Sequence, residues 1–303
     1  MRLNPIRPLL LCLLGWLTLA PALARTADCQ IQTARLTLDD GIALEYSQAG
    51  QGPPVLLLHG LFASKEQWQR FQCQLAAGGR AAIAPDLPGY GQSSGFPLAD
   101  YRLRTQAERL HQFIARLGLT RFDLAGNSLG GALAAVYARS YPRQVRTLAF
   151  IGGPFGLLSW GPEVEAAIEA GVNPFIPITL AELDLELSLL FVMPPDLPEE
   201  DKRAQVAEYV ANNRHYQQVW NIVNLDDRIL ARNLGGRWPT WIFWGQSDRI
   251  FLAEDSVRRL RQFYPHAELH TPAKVGHLPH LEQPELTADL YLAFLSAHSP
   301  PLP

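Results

Sequence analysis

The chain has 303 residues, 48% hydrophobic and 18% charged, with a formal net charge of −3. Such a chain can bury one large core, with or without an inserted subdomain, and is not a disordered segment. The weak charge and the lack of a Lys/Arg run beyond the N-terminus exclude an electrostatic nucleic-acid binder, and no phosphate-loop or dinucleotide glycine pattern occurs.

Arg2 and Arg7 precede the apolar run Leu9–Ala20, which Pro21 ends, and Ala22-Leu23-Ala24 follows as an A-x-A site. This order reads as a secretory leader over residues 1–24, with export to the periplasm or beyond. An uncleaved N-terminal anchor is the competing reading. Cys29 and Cys73 remain after the leader. In an oxidising compartment they could pair, but spacing does not separate a disulfide from two buried thiols. No Cys/His cluster has metal-ligand spacing, so neither a metal nor another cofactor is expected.

Ala34–Leu38 and Ile42–Tyr46 alternate apolar with polar around Asp39-Asp40-Gly41, a hairpin signal. Val55–Leu58 is a continuous apolar run suited to a parallel strand covered on both faces. The pattern recurs at Ala81–Ala84, Phe122–Ala125, Thr147–Ile151 and Thr240–Trp244, and more weakly at Ala267–Thr271. Helix-period segments separate these runs: Glu66–Ala76, Tyr101–Leu117, Leu129–Ser140, Asp255–Phe263 and Pro284–Ser296. The alternation predicts an α/β fold with a mostly parallel, doubly wound sheet.

Residues 154–237 interrupt it with Pro- and Gly-punctuated amphipathic segments: Pro162–Ala170, Leu180–Phe191, Glu199–Asn212 and His215–Val223. They predict a helical cap inserted between core segments 25–153 and 238–303. Phe175, Ile176 and Leu189–Met193 are the candidates for its cavity-facing surface. The segment Asp226–Leu234 fits either cap or core.

Gly126-Asn127-Ser128-Leu129-Gly130 lies between an apolar strand and an Ala-rich helix. That is the context of a nucleophile elbow, a sharp turn holding a serine hydroxyl above a parallel sheet; the competing reading is a helix capped by Ser128. A serine needs a base within reach and a group orienting that base. Asp248 follows the strand Thr240–Trp244 and His277 follows Gly276, giving the chain order Ser, Asp, His. Ser128 is therefore the candidate nucleophile, His277 the base and Asp248 its orienter. His280 is the rival base, and Asp226, Asp227 and Glu282 are the alternative acids. The oxyanion donors are expected at the amides of Leu129 and Leu61, with Phe62 second. His59 and Asp86 read as braces of their loops.

His59-Gly60, Asp86-x-Pro88-Gly89-x-Gly91-x-Ser93, Gly126-x-Ser128-x-Gly130-Gly131, Trp244-Gly245-x-x-Asp248 and Gly276-His277 through Glu282-x-Pro284 together resemble the α/β-hydrolase superfamily over roughly residues 40–297. The Asn-Ser elbow, the leader and the stretch Phe191–Pro198 are similar to those of bacterial secreted lipases/esterases and monoacylglycerol-lipase-like enzymes. A serine at the elbow sets the chain apart from dehalogenases and epoxide hydrolases, whose elbow carries aspartate. The resemblance implies a carboxylic-ester hydrolase acting through an acyl-enzyme on acylglycerols or other acyl esters, with transient contact of the cap with a lipid interface; with no coiled-coil or repeat signal in the sequence, a monomer is expected. The alternatives are a carbon–carbon-bond hydrolase of ring-cleavage products, which shares the Gly-Asn-Ser elbow, and a catalytically dead binding module.

Overall fold

The computed structural model describes residues 29–156 and 160–299; the leader expected at residues 1–24 lies outside the described residues. Eight strands form one sheet: β1 (Gln32–Thr37), β2 (Ala43–Ala49), β3 (Pro54–Leu58), β4 (Ala81–Pro85), β5 (Phe122–Asn127), β6 (Val145–Ile151), β7 (Thr240–Phe243) and β8 (Glu268–His270). Their order is β1-β2-β4-β3-β5-β6-β7-β8. The pairs β1/β2 and β2/β4 are antiparallel; every pair from β4 to β8 is parallel.

The apolar runs are continuous because helices cover both faces of the sheet. Successive strand side chains point to opposite faces. Leu56 and Leu58 of β3, Leu148 and Phe150 of β6, and Ile242 of β7 join one core cluster. Val55, Leu57, Ala149, Ile151, Trp241 and Phe243 join the other. The first cluster is completed by α2 (Leu103–Arg116), α3 (Leu129–Ser140), α8 (Asp227–Asn233) and α9 (Ala253–Phe263); the second by α1 (Gln69–Ala77) and α10 (Pro284–His298). All residues of α3 from Leu129 to Ala138 are buried, which explains why its sequence shows no polar stripe: a helix enclosed on all sides is apolar all round. The strand β1 departs from the expected alternation. Four of its first five positions are exposed because it is the sheet edge, and only Leu36 is half-buried.

Between β6 and β7 lie the cap helices α4 (Pro162–Glu169), α5 (Leu180–Leu190), α6 (Glu199–Ala211) and α7 (Asn213–Val223). The cap has a small core of its own: Leu183, Leu187, Phe191 and Leu197, with Leu278 of the main domain packed into it. Of the apolar residues expected to face the cavity, Phe175 and Leu190 do so. Ile176, Leu189 and Phe191 are buried in packing, while Met193 is 82% exposed. The helix α8, ambiguous from sequence, packs on α3. Cys29 and Cys73 form a disulfide, Cα–Cα 5.5 Å, tying the chain ahead of β1 to α1.

Candidate active site

Ser128 sits where β5 ends and α3 begins, with φ 50° and ψ −115°. A non-glycine residue at positive φ is strained and persists only where its surroundings over-determine it. Here they do. A Cβ on Gly126 would lie 2.2 Å from the Gly130 carbonyl oxygen, and one on Gly130 would lie 2.1 Å from the Leu58 carbonyl oxygen. The close approach of strand, turn and helix thus requires glycine at both flanks of Ser128.

Asp248 follows β7 and His277 follows β8, each at the same C-terminal edge of the sheet as Ser128. His277 Nδ1 donates to Asp248 Oδ2 at 2.9 Å. The other carboxylate oxygen, Oδ1, accepts the amides of Ile250 (2.9 Å) and Phe251 (3.1 Å). The Asp248 side chain is fully buried and that of His277 nearly so. With Nδ1 engaged as donor, Nε2 is left as the acceptor nitrogen. Ser128 and His277 line one cavity. Among the described residues their side chains make no direct hydrogen bond, as is common in free enzymes, where catalytic hydrogen bonds tighten once substrate is bound.

The loop after β3 turns over this site. The Ala63 amide donates to Gly60 O at 3.3 Å, and Phe62 adopts φ 56° at the corner. Leu61 and Phe62 both line the cavity. The amides of Leu61, Phe62 and Leu129 have no acceptor among the described residues. Leu61 and Phe62 line the cavity with Ser128, and Leu129 follows Ser128 directly, so these three amides are the candidate donors to a developing negative charge. His59 braces the loop as expected: its Nδ1 donates to Gly60 O (2.8 Å) and its Nε2 accepts the Leu87 amide (2.9 Å). Burial holds its pKa down to about 4, so it is neutral. Asp86 braces the neighbouring loop by accepting from the Lys65 amide, Lys65 Nζ and the Gln92 amide.

Of the rivals, His280, Asp226 and Glu282 are engaged elsewhere. His280 is fully buried, stacked on Trp68 at 4.2 Å and bonded through Nε2 to Gln67; burial pushes its pKa down to about 3. Asp226 pairs with Arg102 and accepts the Leu103 amide. Asp227 opens α8, and Glu282 accepts the amides of Val192 and Gly276. Two contributors were not picked out from sequence. Asn127 donates through Nδ2 to Ile151 O (2.7 Å) and His277 O (3.3 Å), and its Oδ1 accepts from Gln67 Nε2 (3.2 Å). Gln67 Oε1 in turn accepts the Gly60 amide at 3.4 Å. These two amides connect the elbow, the loop after β3 and the histidine loop. Their only sequence signal is position, one residue before the serine and seven after Gly60.

The rest of the cavity is mainly apolar. Phe155, Trp160 and Phe175 form one wall, backed by Trp220 and Phe251; Trp160 stacks on Phe251 at 5.0 Å. Leu190, Ile250 and Leu278 add aliphatic surface, and Glu186 and Tyr209 supply polar groups from the cap. Among the described residues no three His, Cys, Asp or Glu side chains gather as a metal site.

Comparison with known proteins agrees with this architecture. The sequence model of the alpha/beta hydrolase fold matches residues 53–284. Lipase 1 of Psychrobacter immobilis is 31% identical over 281 residues, 89% of this chain and 85% of that protein. Monoacylglycerol lipase abhd6-B of Xenopus laevis is 28% identical, covering 82% and 77% respectively. The crystal structure of a bacterial membrane phospholipase A superposes with a TM-score of 0.73 at 32% identity, over 88% of this chain and 86% of that one. A 2-hydroxy-6-oxo-6-phenylhexa-2,4-dienoate hydrolase from Rhodococcus, 22% identical with a TM-score of 0.74 over 88% and 99% of the two chains, shares the fold. The chain belongs to the α/β-hydrolase fold family.

Proposed function

We propose that this protein is a serine hydrolase that cleaves carboxylic esters, acylglycerols or related acyl esters, through an acyl-enzyme. The observation that carries this reading is the buried His277–Asp248 pair opening, together with Ser128, into an apolar cavity. In the proposed reaction His277 Nε2 takes the Ser128 proton as Oγ attacks the ester carbonyl carbon. The amides of Leu61 and Leu129 receive the oxyanion. Collapse of the tetrahedral intermediate breaks the bond to the alcohol oxygen, to which His277 returns the proton. Water then repeats the sequence in reverse roles, releasing the acid and free Ser128.

The aromatic wall and the aliphatic residues facing it favour a hydrocarbon acyl group. The similarity to lipases at about 30% identity supports the same substrate class. We extend the proposal to location and interface. The Cys29–Cys73 disulfide fits an oxidising compartment and hence the leader expected at residues 1–24. Val192 and Met193, exposed just beyond cavity-lining Leu190, offer an apolar contact for a lipid interface. The test is hydrolysis of a p-nitrophenyl ester series by the mature protein and its Ser128→Ala variant. Turnover that rises with acyl length and vanishes in the variant is expected. A folded protein that leaves every ester intact but turns over a ring-cleavage dienone would overturn the reading in favour of carbon–carbon hydrolysis.

A further inference from the structure

Trp160, at the entrance to the cap, borders two cavities. One is the cavity that Ser128 and His277 share. The other is a groove along α9 whose walls include Leu252, Asp255, Arg258, Arg259 and Phe263. Among the described residues Trp160 alone belongs to both. The two spaces therefore meet at this residue.

Trp160 is pinned from several sides. The Gly161 amide donates to Ile250 O at 2.7 Å, and a Cβ on Gly161 would lie 2.1 Å from Arg249 O. The backbone just after Trp160 thus lies directly against the loop that follows Asp248. The indole stacks on Phe251 of that loop, centroids 5.0 Å apart and planes within 18°. From the cap it meets Trp220 of α7, at 5.7 Å and 22°, and Phe175 at 5.5 Å. Phe155, from the loop after β6, approaches it edge-on at 5.5 Å. Aromatic pairs in these geometries contribute beyond the area they bury. The ring has four such neighbours, drawn from both core and cap, and it cannot swing aside without giving them up.

We infer that Trp160 sets the upper limit on acyl-chain length, as the end wall of the acyl site between the catalytic cavity and the α9 groove. This rests on the ester-hydrolase reading above and specifies how that site selects its substrate. With the ester carbonyl held at Ser128, a longer acyl chain extends further along the aromatic wall. Each methylene that gains apolar contact there favours kcat/KM by up to about fourfold. A chain that reaches Trp160 gains nothing more, because the ring and its stacked neighbours leave no room. Past the ring the groove continues over Leu252, which is exposed, and half-buried Phe263. Removing the indole opens that route to the chain end.

The test is kcat/KM for p-nitrophenyl butanoate, octanoate, dodecanoate and hexadecanoate in the wild-type protein and in its Trp160→Ala and Trp160→Phe variants. Dividing variant by wild type at each length removes differences in the solubility and reactivity of the esters. The wild type is expected to rise with chain length and then fall. In Trp160→Ala the ratio should climb by about tenfold or more from butanoate to hexadecanoate, the gain of roughly two further buried methylenes. Trp160→Phe, which keeps a ring in the stack, should move it far less. Thermal melts establish that each variant is folded; if Trp160→Ala does not fold, Trp160→Leu decides. A ratio independent of length is what lost packing alone would give, and it would overturn the limit. A wild type as active on hexadecanoate as on octanoate would do the same, and both results leave ester hydrolysis intact. A wild type inactive on all four esters would overturn the underlying reading and the limit with it.

Discussion

Replacing Asp248 by Asn changes one atom and tests the proposed role of the buried pair. Asp248 satisfies three donors with two oxygens: His277 Nδ1–H on Oδ2, and the Ile250 and Phe251 amides on Oδ1. Asparagine has one oxygen and one NH2 group, so two orientations compete. With the oxygen toward the two amides, the NH2 faces His277 Nδ1, which must then accept; the imidazole proton moves to Nε2, where it blocks the transfer from Ser128. With the oxygen toward His277 the imidazole is productive, but the NH2 confronts two amides that lose their acceptor. Each buried donor left unpaired costs about 1–3 kcal/mol. The productive orientation is thus disfavoured by roughly 2–6 kcal/mol, which at about 1.4 kcal/mol per factor of ten predicts a fall in activity of about one and a half to four powers of ten. The loss should lie in kcat, since the cavity walls that bind the acyl chain are untouched. Steady-state hydrolysis of p-nitrophenyl octanoate, with a thermal melt as control, measures it. A variant that melts like wild type and keeps kcat within tenfold would refute Asp248 as the group orienting His277.

Three further outcomes follow from the buried groups and close contacts. His59 and His280 are held neutral by burial, near 4 and 3 against an ordinary 6.5. The unfolded chain binds their protons first as pH falls, so their contribution is complete above 6.5 and is lost below it, by about 1.4 kcal/mol per pH unit for each residue. Glu186 acts in the opposite sense: held up to about 8 against 4.5, it keeps its proton while the unfolded chain has lost it, so stability falls as pH rises from 4.5 to 8. Melting temperatures at pH 5.5, 6.5 and 8 should peak near 6.5, and Glu186→Gln should flatten the alkaline side; parallel curves for the two proteins would contradict it. Opening the Cys29–Cys73 link, 44 residues apart in sequence, by Cys73→Ala should cost about 4 kcal/mol of chain entropy; an unchanged urea midpoint would count against that. Gly130→Ala drives a methyl into the backbone carbonyls of Leu58 and His59, neither of which is a flexible side-chain end. A loss of the order of 3 kcal/mol in a urea titration is expected, and wild-type stability would show that the elbow can relax.

The features legible in the sequence are those in which a local pattern has one physical solution. Val55–Leu58 reads as an enclosed strand because both faces must be apolar, and Ser128 stands out because glycine is needed on each side of a strained turn. Asp248 and His277 were legible through their position after strands. Gln67 and Asn127 were not, because their partners lie 60, 150 and 213 residues away and nothing local to either marks the encounter. The cysteine pairing stayed open for the same reason: spacing says nothing of how the chain ahead of β1 meets α1. In the cap, periodicity shows which side of a helix is apolar. It does not show whether that side meets the cavity, as Leu190 does, or the cap's own core, as Leu187 does.

That ambiguity in the cap bears on how the site works, because the cap is bonded to the loops that carry Asp248 and His277. The His277 amide donates to Leu190 O, and Glu282 joins the Val192 amide of the cap to the Gly276 amide of the histidine loop. On the other side, the Gly161 amide donates to Ile250 O at 2.7 Å, while Arg249, next to Asp248, pairs with Glu163 and donates to Ser188 O at 2.8 Å. The elbow and the loop after β3, by contrast, are held by the core through Asn127, Gln67 and His59. Ser128 and the amides of Leu61 and Leu129, the proposed nucleophile and oxyanion donors, therefore rest on the sheet, whereas His277 and Asp248, the proposed base and its orienter, are fastened to the cap. Four hydrogen-bonded links and one ion pair thus join the cap to the loops that carry His277 and Asp248.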